Sequence, residues 1–360
     1  MSRKKIIAAF LMLALTATGI YPCTTFMFKD KNGHVYYGRN FDFPAGPGHV
    51  EINLRDQLKT SLIWNGSNEK PFSWKSKFGS ITFNQNGREF PYGGMNEAGL
   101  VIEQMWLFDT KYPSPDSRAG LTELQWIQYQ LDVSSSVEDV IKSDNSVRIS
   151  SYSKAPIHFL VSDAAGNAAV IEYINGKMNY YTGETLKYRA LSNETYNYSL
   201  DYKMNKDNGG NKTYPSERIN SFDRFCTAAE MAGAYNPANN KPVEYAFDIL
   251  GKVAQGSHTQ WSIVYDVADR KIFYKTNANQ TIRQLSFSGF DFAGNAQKLY
   301  IDIDKTDNRT DEFKVFNYDL NRKLIEDVWN AIPFLKQNPE SDRLAIAGYP
   351  LTVKYAGTGN

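Results

Sequence analysis

Cysteine and histidine are both scarce in this sequence, which has two Cys and four His among its 360 residues. Two Cys exclude a disulfide-rich scaffold and a cysteine-rich zinc site. The four His residues lie far apart in the chain, at His34, His49, His158 and His258, and no HExxH pair occurs among them. We therefore expect no His-based metal site, no other metal and no cofactor.

An excess of one charge is also missing, because 40 Lys and Arg face 39 Asp and Glu, a formal net charge of +1. Nucleic-acid binders usually carry a basic excess, so nucleic acid is not expected as a partner. Beyond the N-terminus, no run approaches the roughly 18 apolar residues of a membrane-spanning helix. A hydrophobic content of 42% excludes disorder as the main state, and 14% aromatic residues favour a β-rich interior.

The N-terminus has the three parts of a bacterial export signal. Met-Ser-Arg-Lys-Lys is followed by an apolar run from Ile6 to Leu15 and then by small residues up to Gly19. We predict a signal peptide at residues 1–19, a short propeptide at residues 20–22, and a periplasmic or secreted protein. A buried N-terminal helix is the alternative.

The mature chain is expected to begin close to Cys23. Pro22 stands directly before this residue, which disfavours a lipoprotein signal, where small residues precede the Cys. The rest of the chain contains no internal repeat and no low-complexity segment. We therefore predict one domain at residues 23–360.

A β-hairpin is predicted directly after Cys23. The β-branched and aromatic run after it leads to the turn Asp30-Lys31-Asn32-Gly33, and residues 34–43 form the returning strand. If Asn32 and Gly33 are the two central turn residues, paired residue numbers add up to 65, and Cys23 faces Asp42. This pairing depends on the register, because a slip of one residue changes every pair.

Further elements follow from hydrophobic periodicity and turn signals. Strands are predicted at residues 80–83, 100–107, 157–162, 168–173, 177–181, 261–266 and 271–276. Helices are predicted at residues 121–131 with Thr122 as N-cap, from 137, and at 222–234, 243–253 and 320–335, with a loop at 205–215. The order of these elements predicts layered sheets that are covered by helices.

A Cys at a processed N-terminus carries two chemically useful groups. Its thiol is a nucleophile, and its α-amine, with a pKa near ~8, can serve as the general base. Such an enzyme needs no His partner. A small, buried apolar Cys is the alternative interpretation of Cys23, and Cys226 is expected to be a buried free thiol.

Five sequence motifs resemble the choloylglycine hydrolase family, the linear amide C–N hydrolases, in that family's order. They are CTTF (23–26) with GRNFD (38–42), GGMNEAGL (93–100), LSNETY (191–196), SFDRF (221–225) and HTQWS (258–262). The resemblance implies an N-terminal nucleophile hydrolase with an α+β fold, a four-layer αββα sandwich. It also implies autocatalytic processing, and the family includes bile salt hydrolases and penicillin V acylases.

The resemblance also implies a role for each matching residue. Cys23 would be the nucleophile, and Asp42 would hold its amine by a charge-assisted hydrogen bond. Arg39 would favour the thiolate, Asn193 would donate to the oxyanion, and Arg224 would be a second fixed cation. Since residues 39 and 42 point to opposite faces of a flat strand, this arrangement requires a bulge or a strand end.

Trp106 departs from the family pattern, because bile salt hydrolases usually carry Asn there and some penicillin acylases carry Tyr. A Trp at this position fits an aromatic-walled pocket, and its backbone N–H or indole is a candidate second oxyanion donor. The stretch from Asn193 to Arg224 is also too short for the hairpin that assembles tetramers in many relatives. A homo-oligomer that assembles through another interface is the alternative.

These features predict an exported, penicillin V acylase-like hydrolase that cleaves linear amides through a Cys thioester. Its partner would be a small N-acyl amide with an apolar acyl group. The alternatives are a conjugated bile salt hydrolase, an acyltransferase, and a non-catalytic module on the same fold that binds glycans or lipids.

Overall fold

The structure is a computed structural model that describes residues 22–64, 66–305 and 310–357. The predicted signal peptide and the first two residues of the predicted propeptide lie outside this part. The strands are β1 (Thr24–Lys29), β2 (Val35–Asp42), β3 (His49–Asn53), β4 (Gln57–Thr60), β5 (Ser73–Lys75), β6 (Ser80–Asn84), β7 (Gly93–Asn96), β8 (Val101–Trp106), β9 (Ala119–Leu121), β10 (Val147–Ile149), β11 (Ile157–Ser162), β12 (Ala168–Ile174), β13 (Lys177–Thr182), β14 (Ala190–Leu191), β15 (Thr259–Asp266), β16 (Lys271–Thr276), β17 (Arg283–Ser286), β18 (Leu299–Asp302), β19 (Lys314–Val315) and β20 (Lys354–Tyr355). The α-helices are α1 (Glu123–Val133), α2 (Val137–Ser143), α3 (Tyr196–Asp207), α4 (Ile219–Gly233), α5 (Pro242–Val253), α6 (Tyr318–Ala331), α7 (Pro333–Lys336) and α8 (Glu340–Gly348).

Two large antiparallel sheets form the centre of the molecule. The six-stranded sheet has the order β14-β1-β2-β15-β16-β17, and the nine-stranded sheet has the order β13-β12-β11-β8-β7-β6-β3-β18-β19. The hydroxyl of Tyr37 on β2 donates to the carbonyl of Leu160 on β11, 2.9 Å away, and thereby links the facing sheets. Every residue of β2 is buried, since both faces of this strand are covered.

Helices cover the outer face of each sheet. Helices α4 and α5 pack on β1 and β2, and α1 packs on β7 and β8. The predicted α+β architecture, a four-layer αββα sandwich, is thereby confirmed. Among the helices that the described residues form, none is long and apolar enough to cross a membrane.

The predicted register of the first hairpin is wrong by one residue. Thr24 pairs with Asn40, so paired numbers add up to 64, and Cys23 does not face Asp42 directly. The loop contains three residues, because the Asp30 N–H donates to the His34 carbonyl at 2.9 Å. The Asp30 carboxylate accepts from the N–H groups of Asn32 and His34, both at 2.8 Å. Only Gly33 takes the left-handed conformation, at φ +82°, as in a type I turn closed by Gly.

The pair Asn175-Gly176 forms a two-residue turn between β12 and β13. Asn175 and Gly176 both have positive φ, at +54° and +75°, and Ile174 pairs with Lys177. This turn lacks an Asp at the position that Asp30 occupies in the first hairpin, and the side chain of Asp30 there stabilises the longer loop.

The predicted bounds of one loop and one helix need correction. The predicted loop at 205–215 begins later, because α3 runs through residue 207. The predicted helix at 320–335 is interrupted before Pro333, which has no N–H for an intrahelical hydrogen bond, so that α6 and α7 are separate. A further helix, α8, follows α7.

Candidate active site

Cys23 lies immediately before β1 and is almost completely buried, with 3% of its surface exposed. Its Sγ is 3.8 Å from the main-chain carbonyl oxygen of Asp42, to which the thiol donates. The Arg224 guanidinium donates to the Cys23 carbonyl at 2.6 Å and to the Thr24 hydroxyl at 2.7 Å. These contacts fix the start of β1 before any substrate arrives.

With Pro22 still before it, the Cys23 thiol is held neutral. Burial raises its pKa to about 11, although the positive charge of Arg39 lowers the pKa in part. The nitrogen of Cys23 is still in a peptide bond with Pro22 and cannot act as a base. At neutral pH this form therefore contains hardly any thiolate, which is the reactive species.

Asp42 ends β2, and its carboxylate lies beside the N-terminal end of β1. One carboxylate oxygen accepts a short hydrogen bond from the Thr259 hydroxyl. The other oxygen, Oδ2, is buried and has no hydrogen-bond partner within the described part of the chain. Burial raises the pKa of Asp42 to about 6, against the opposing effects of Thr259 and Arg224. The Oδ2 oxygen of Asp42 can therefore accept a hydrogen bond from a further donor.

Arg39 lies on the opposite face of β2, between the two sheets, and is fully buried. Its Nε is 3.0 Å from the Glu103 carboxylate, and its Nη2 donates to the Gln104 carbonyl at 3.0 Å. Asp42 is the last residue of β2, so the predicted strand end is present, and a bulge also occurs in the neighbouring strand β15 after Thr259. Arg39 acts on Cys23 through its charge.

Asn193 follows β14, and its side-chain amide is held in one orientation. Arg224 Nη2 donates to Asn193 Oδ1 at 3.0 Å, and Asn193 Nδ2 donates to the Trp106 carbonyl at 2.9 Å. A guanidinium can only donate and a carbonyl can only accept, so the amide cannot be flipped. The amide nitrogen carries two hydrogens, so it has a second hydrogen besides the one that it donates to Trp106.

Arg224, on α4, therefore connects three parts of the site: the start of β1, Asn193 and the region of Asp42. Burial lowers the pKa of Arg224 to about 10, against the attraction of Asp42 and Cys23. At neutral pH the group is still a cation. Of the residues predicted for the site, Cys23, Asn193 and Arg224 share direct hydrogen bonds, and Asp42 contacts the Cys23 thiol.

The sequence analysis did not identify a role for His158, which binds the main chain directly before Asn193. This buried side chain on β11 has Nε2 at 2.8 Å from the Ser192 carbonyl and Nδ1 at 3.2 Å from the Glu172 carboxylate. Glu172 also accepts from the Tyr196 N–H at 2.7 Å. No local motif marks this arrangement, because it joins two strands and the loop after β14.

A cavity of about 430 Å³ opens beside Cys23. Its walls are mostly aromatic and apolar, and Trp106 is among them. The lining residues are Cys23, Phe41, Phe43, Trp64, Asn86, Phe90, Tyr92, Gln104, Trp106, Thr122, Glu123, Leu124, Lys154, Ala155, Ile157, Trp329, Phe334, Leu335, Asn338 and Ile346. Such a cavity suits an apolar group whose reacting atom lies at the Cys23 sulfur. Among the described residues, no group of three or more His, Cys, Asp or Glu side chains could hold a metal ion.

Comparison with known proteins agrees with this geometry. Residues 23–302 match the model of the linear amide C–N hydrolases, choloylglycine hydrolase family. A penicillin V acylase from Pectobacterium atrosepticum is 26% identical, in an alignment that covers 82% of this chain and 90% of that protein.

Solved structures show the same fold at lower identity. The penicillin V acylase from Agrobacterium tumefaciens superposes with a TM-score of 0.69 at 23% identity, over 82% of this chain and 98% of that one. A mutant of the conjugated bile acid hydrolase from Clostridium perfringens gives 0.63 at 18% identity, over 79% and 97%. This chain thus has the fold of these two hydrolases. Since the family model matches most of the chain, this protein belongs to the choloylglycine hydrolase family and is a hydrolase of carbon–nitrogen bonds in linear amides.

Proposed function

We propose that the protein is exported, is processed so that Cys23 becomes its first residue, and then cleaves N-acyl amides through a thioester. The observation that carries this proposal is the buried Asp42 Oδ2, which has no hydrogen-bond partner in the described part of the chain. An α-ammonium group on Cys23 would supply a donor at this end of β1. Four of the five N–H donors of the nearby cation Arg224 are given to Cys23, Thr24, Asn193 and Asn220, and Oδ2 receives none of these four.

The reaction would proceed in two steps, formation of the thioester and its hydrolysis. The α-amine of Cys23 takes the thiol proton, and the sulfur attacks the amide carbon, while the carbonyl oxygen becomes negative and accepts from Asn193. The C–N bond then breaks, and the leaving amine takes the proton from the α-ammonium group. Water attacks the thioester with the same amine as base, and the acid and the free thiol are released.

The proposed substrate class is an amide with a slim, apolar acyl group, such as the phenoxyacetyl group of penicillin V. Two features support it: the aromatic cavity beside Cys23, and the similarity to proteins that are named penicillin V acylases. Trp106 places an indole in the wall of this cavity, where a broad, rigid steroid acid would meet it.

The test combines maturation and turnover of the exported protein. We expect the intact mass of the exported protein to correspond to a chain that begins at Cys23. This protein should hydrolyse penicillin V, and the Cys23→Ala variant should show no turnover. Cys226→Ala is the matched control, because this second buried Cys lies on α4, outside the cavity lining, and its loss should leave activity intact. A fully active protein that begins at Ile20 or earlier would contradict the proposal.

A further inference from the structure

The outer wall of the cavity comes from the C-terminal part of the chain. Five lining residues lie on or between α6, α7 and α8, beyond residue 302, where the match to the family model ends. They are Trp329, Phe334, Leu335, Asn338 and Ile346. We call residues 318–348 the C-terminal wall. The catalytic centre and this wall thus come from different parts of the sequence.

Specific contacts hold the C-terminal wall against the rest of the molecule. The Trp329 indole N–H donates to the side-chain oxygen of Asn86 at 2.7 Å. The Phe334 ring meets Trp106 edge to face, with ring centres 5.4 Å apart. These contacts give the wall a defined position, so that its side chains set the dimensions of the cavity.

Polar contacts of Lys154, which we call the latch, hold the C-terminal wall against the loop before β11. Lys154 Nζ forms a close ion pair with Asp342 on α8 and donates to Asn338 Oδ1 at 3.2 Å. The same ammonium lies 4.7 Å from the ring centre of Trp64, which also lines the cavity. The latch therefore joins α8 to the side of the cavity that the main part of the chain forms.

We infer that the C-terminal wall determines which acyl groups fit, by limiting the length of chain that the cavity accepts. The inference rests on the proposed function, because an acyl carbonyl at the Cys23 sulfur directs the chain into this cavity. By this inference, a chain that reaches Leu335 and Phe334 has filled the cavity, and further methylenes gain no apolar contact. The substrate class is then an amide of an acyl group with an upper length limit, set by residues outside the family core.

Binding of carboxylic acids tests this inference without turnover. The probes are straight-chain acids from hexanoic to tetradecanoic acid, titrated calorimetrically into the wild-type protein. Affinity should rise about four-fold per methylene up to a break at which longer chains gain nothing. Leu335→Ala should move this break to longer chains, and Leu335→Trp should move it to shorter ones.

Leu344→Ala is the matched control, because Leu344 lies on α8 of the same segment but is exposed and does not line the cavity. Its break should equal that of the wild type. Thermal unfolding of each variant checks folding, and Phe334→Leu replaces Leu335→Ala if the latter does not fold. An unmoved break in the Leu335 variants, or an equal shift in Leu344→Ala, would overturn the inference. If the break moves but no amide is cleaved, the proposed function fails and the length limit stands.

Discussion

Asp42 should destabilise the unprocessed protein at neutral pH, and its replacement by Asn should remove this cost. Burial raises the pKa of the carboxyl from 3.8 to about 6 in the folded chain. Well below pH 3.8 the group is protonated in both states and has no effect on the free energy of unfolding. As the pH rises from about 4 to about 6, the unfolded chain releases the proton while the folded chain still holds it, and stability is lost. Above about 6 the folded chain holds a buried carboxylate, and the full loss remains.

The size of the effect follows from this difference in pKa. About 2.2 pH units at 1.36 kcal/mol each give about 3 kcal/mol at pH 8. The assay is urea unfolding of Cys23→Ala, which cannot be processed into an active enzyme, with and without Asp42→Asn, between about pH 3 and pH 8. Relative to its parent, the Asn variant should gain about 3 kcal/mol in unfolding free energy over this range.

A difference in stability that does not change with pH would refute this reasoning, and so would a loss of stability in the Asn variant that grows with pH. The latter would mean that Thr259 and Arg224 more than compensate for the burial of the carboxylate. In the matured protein, the new ammonium group should lower the pKa of Asp42. There, Asp42→Asn should cost stability at pH 7, which is the reverse of its effect before processing.

Asn193→Ala should lower kcat by about 10²–10³ with little change in KM; a rise in KM alone would make Asn193 a binding contact. His158→Phe removes the donor to the Ser192 carbonyl and should lower kcat by up to about 10². His158→Gln keeps an N–H donor and should recover part of this loss, whereas equal losses in both variants would point to packing. Trp106→Asn should lower the ratio of kcat/KM for penicillin V to that for glycocholate, and an unchanged ratio would exclude Trp106 as a specificity residue.

Much of the sheet structure could be predicted, because alternating β-branched and aromatic residues are a local signal. The strand at 157–162 has the predicted bounds, and so has the strand at 271–276. The register of the first hairpin could not be derived from Asn-Gly alone. The side chain of Asp30, outside that dipeptide, stabilises a three-residue loop, and the pairing moves by one residue.

Helix α3 was missed for a different reason. The residues that it buries, Tyr196, Ser199 and Lys203, have helical spacing, but two of them are polar. The Lys203 ammonium is paired with Asp207 and Glu230, which makes its burial acceptable. An analysis of apolar periodicity cannot detect a helix face of this kind, because its polar residues are stabilised by ion pairs, one of them to Glu230 on α4.

The site residues with sequence motifs were predicted, whereas those that act only through tertiary contacts were not. Asn193 and Arg224 stand in recognisable segments, and the structure joins them by a hydrogen bond. His158 has no such segment, since its partners Ser192 and Glu172 are brought together only by the sheet. The C-terminal wall was missed likewise, because its lining residues meet the cavity only after α6 to α8 have packed.

The position of β1 within its sheet has a consequence for the rate of the proposed reaction. A new chain end normally frays, and a nucleophile on a fraying end would spend most of its time out of place. Here β1 is an inner strand with β14 on one side and β2 on the other, and Arg224 binds the Cys23 carbonyl. Cleavage before Cys23 would therefore release a terminus whose freedom was already lost when the sheet formed. The entropy of orienting sulfur and amine is then a cost of folding, not one repeated at every turnover.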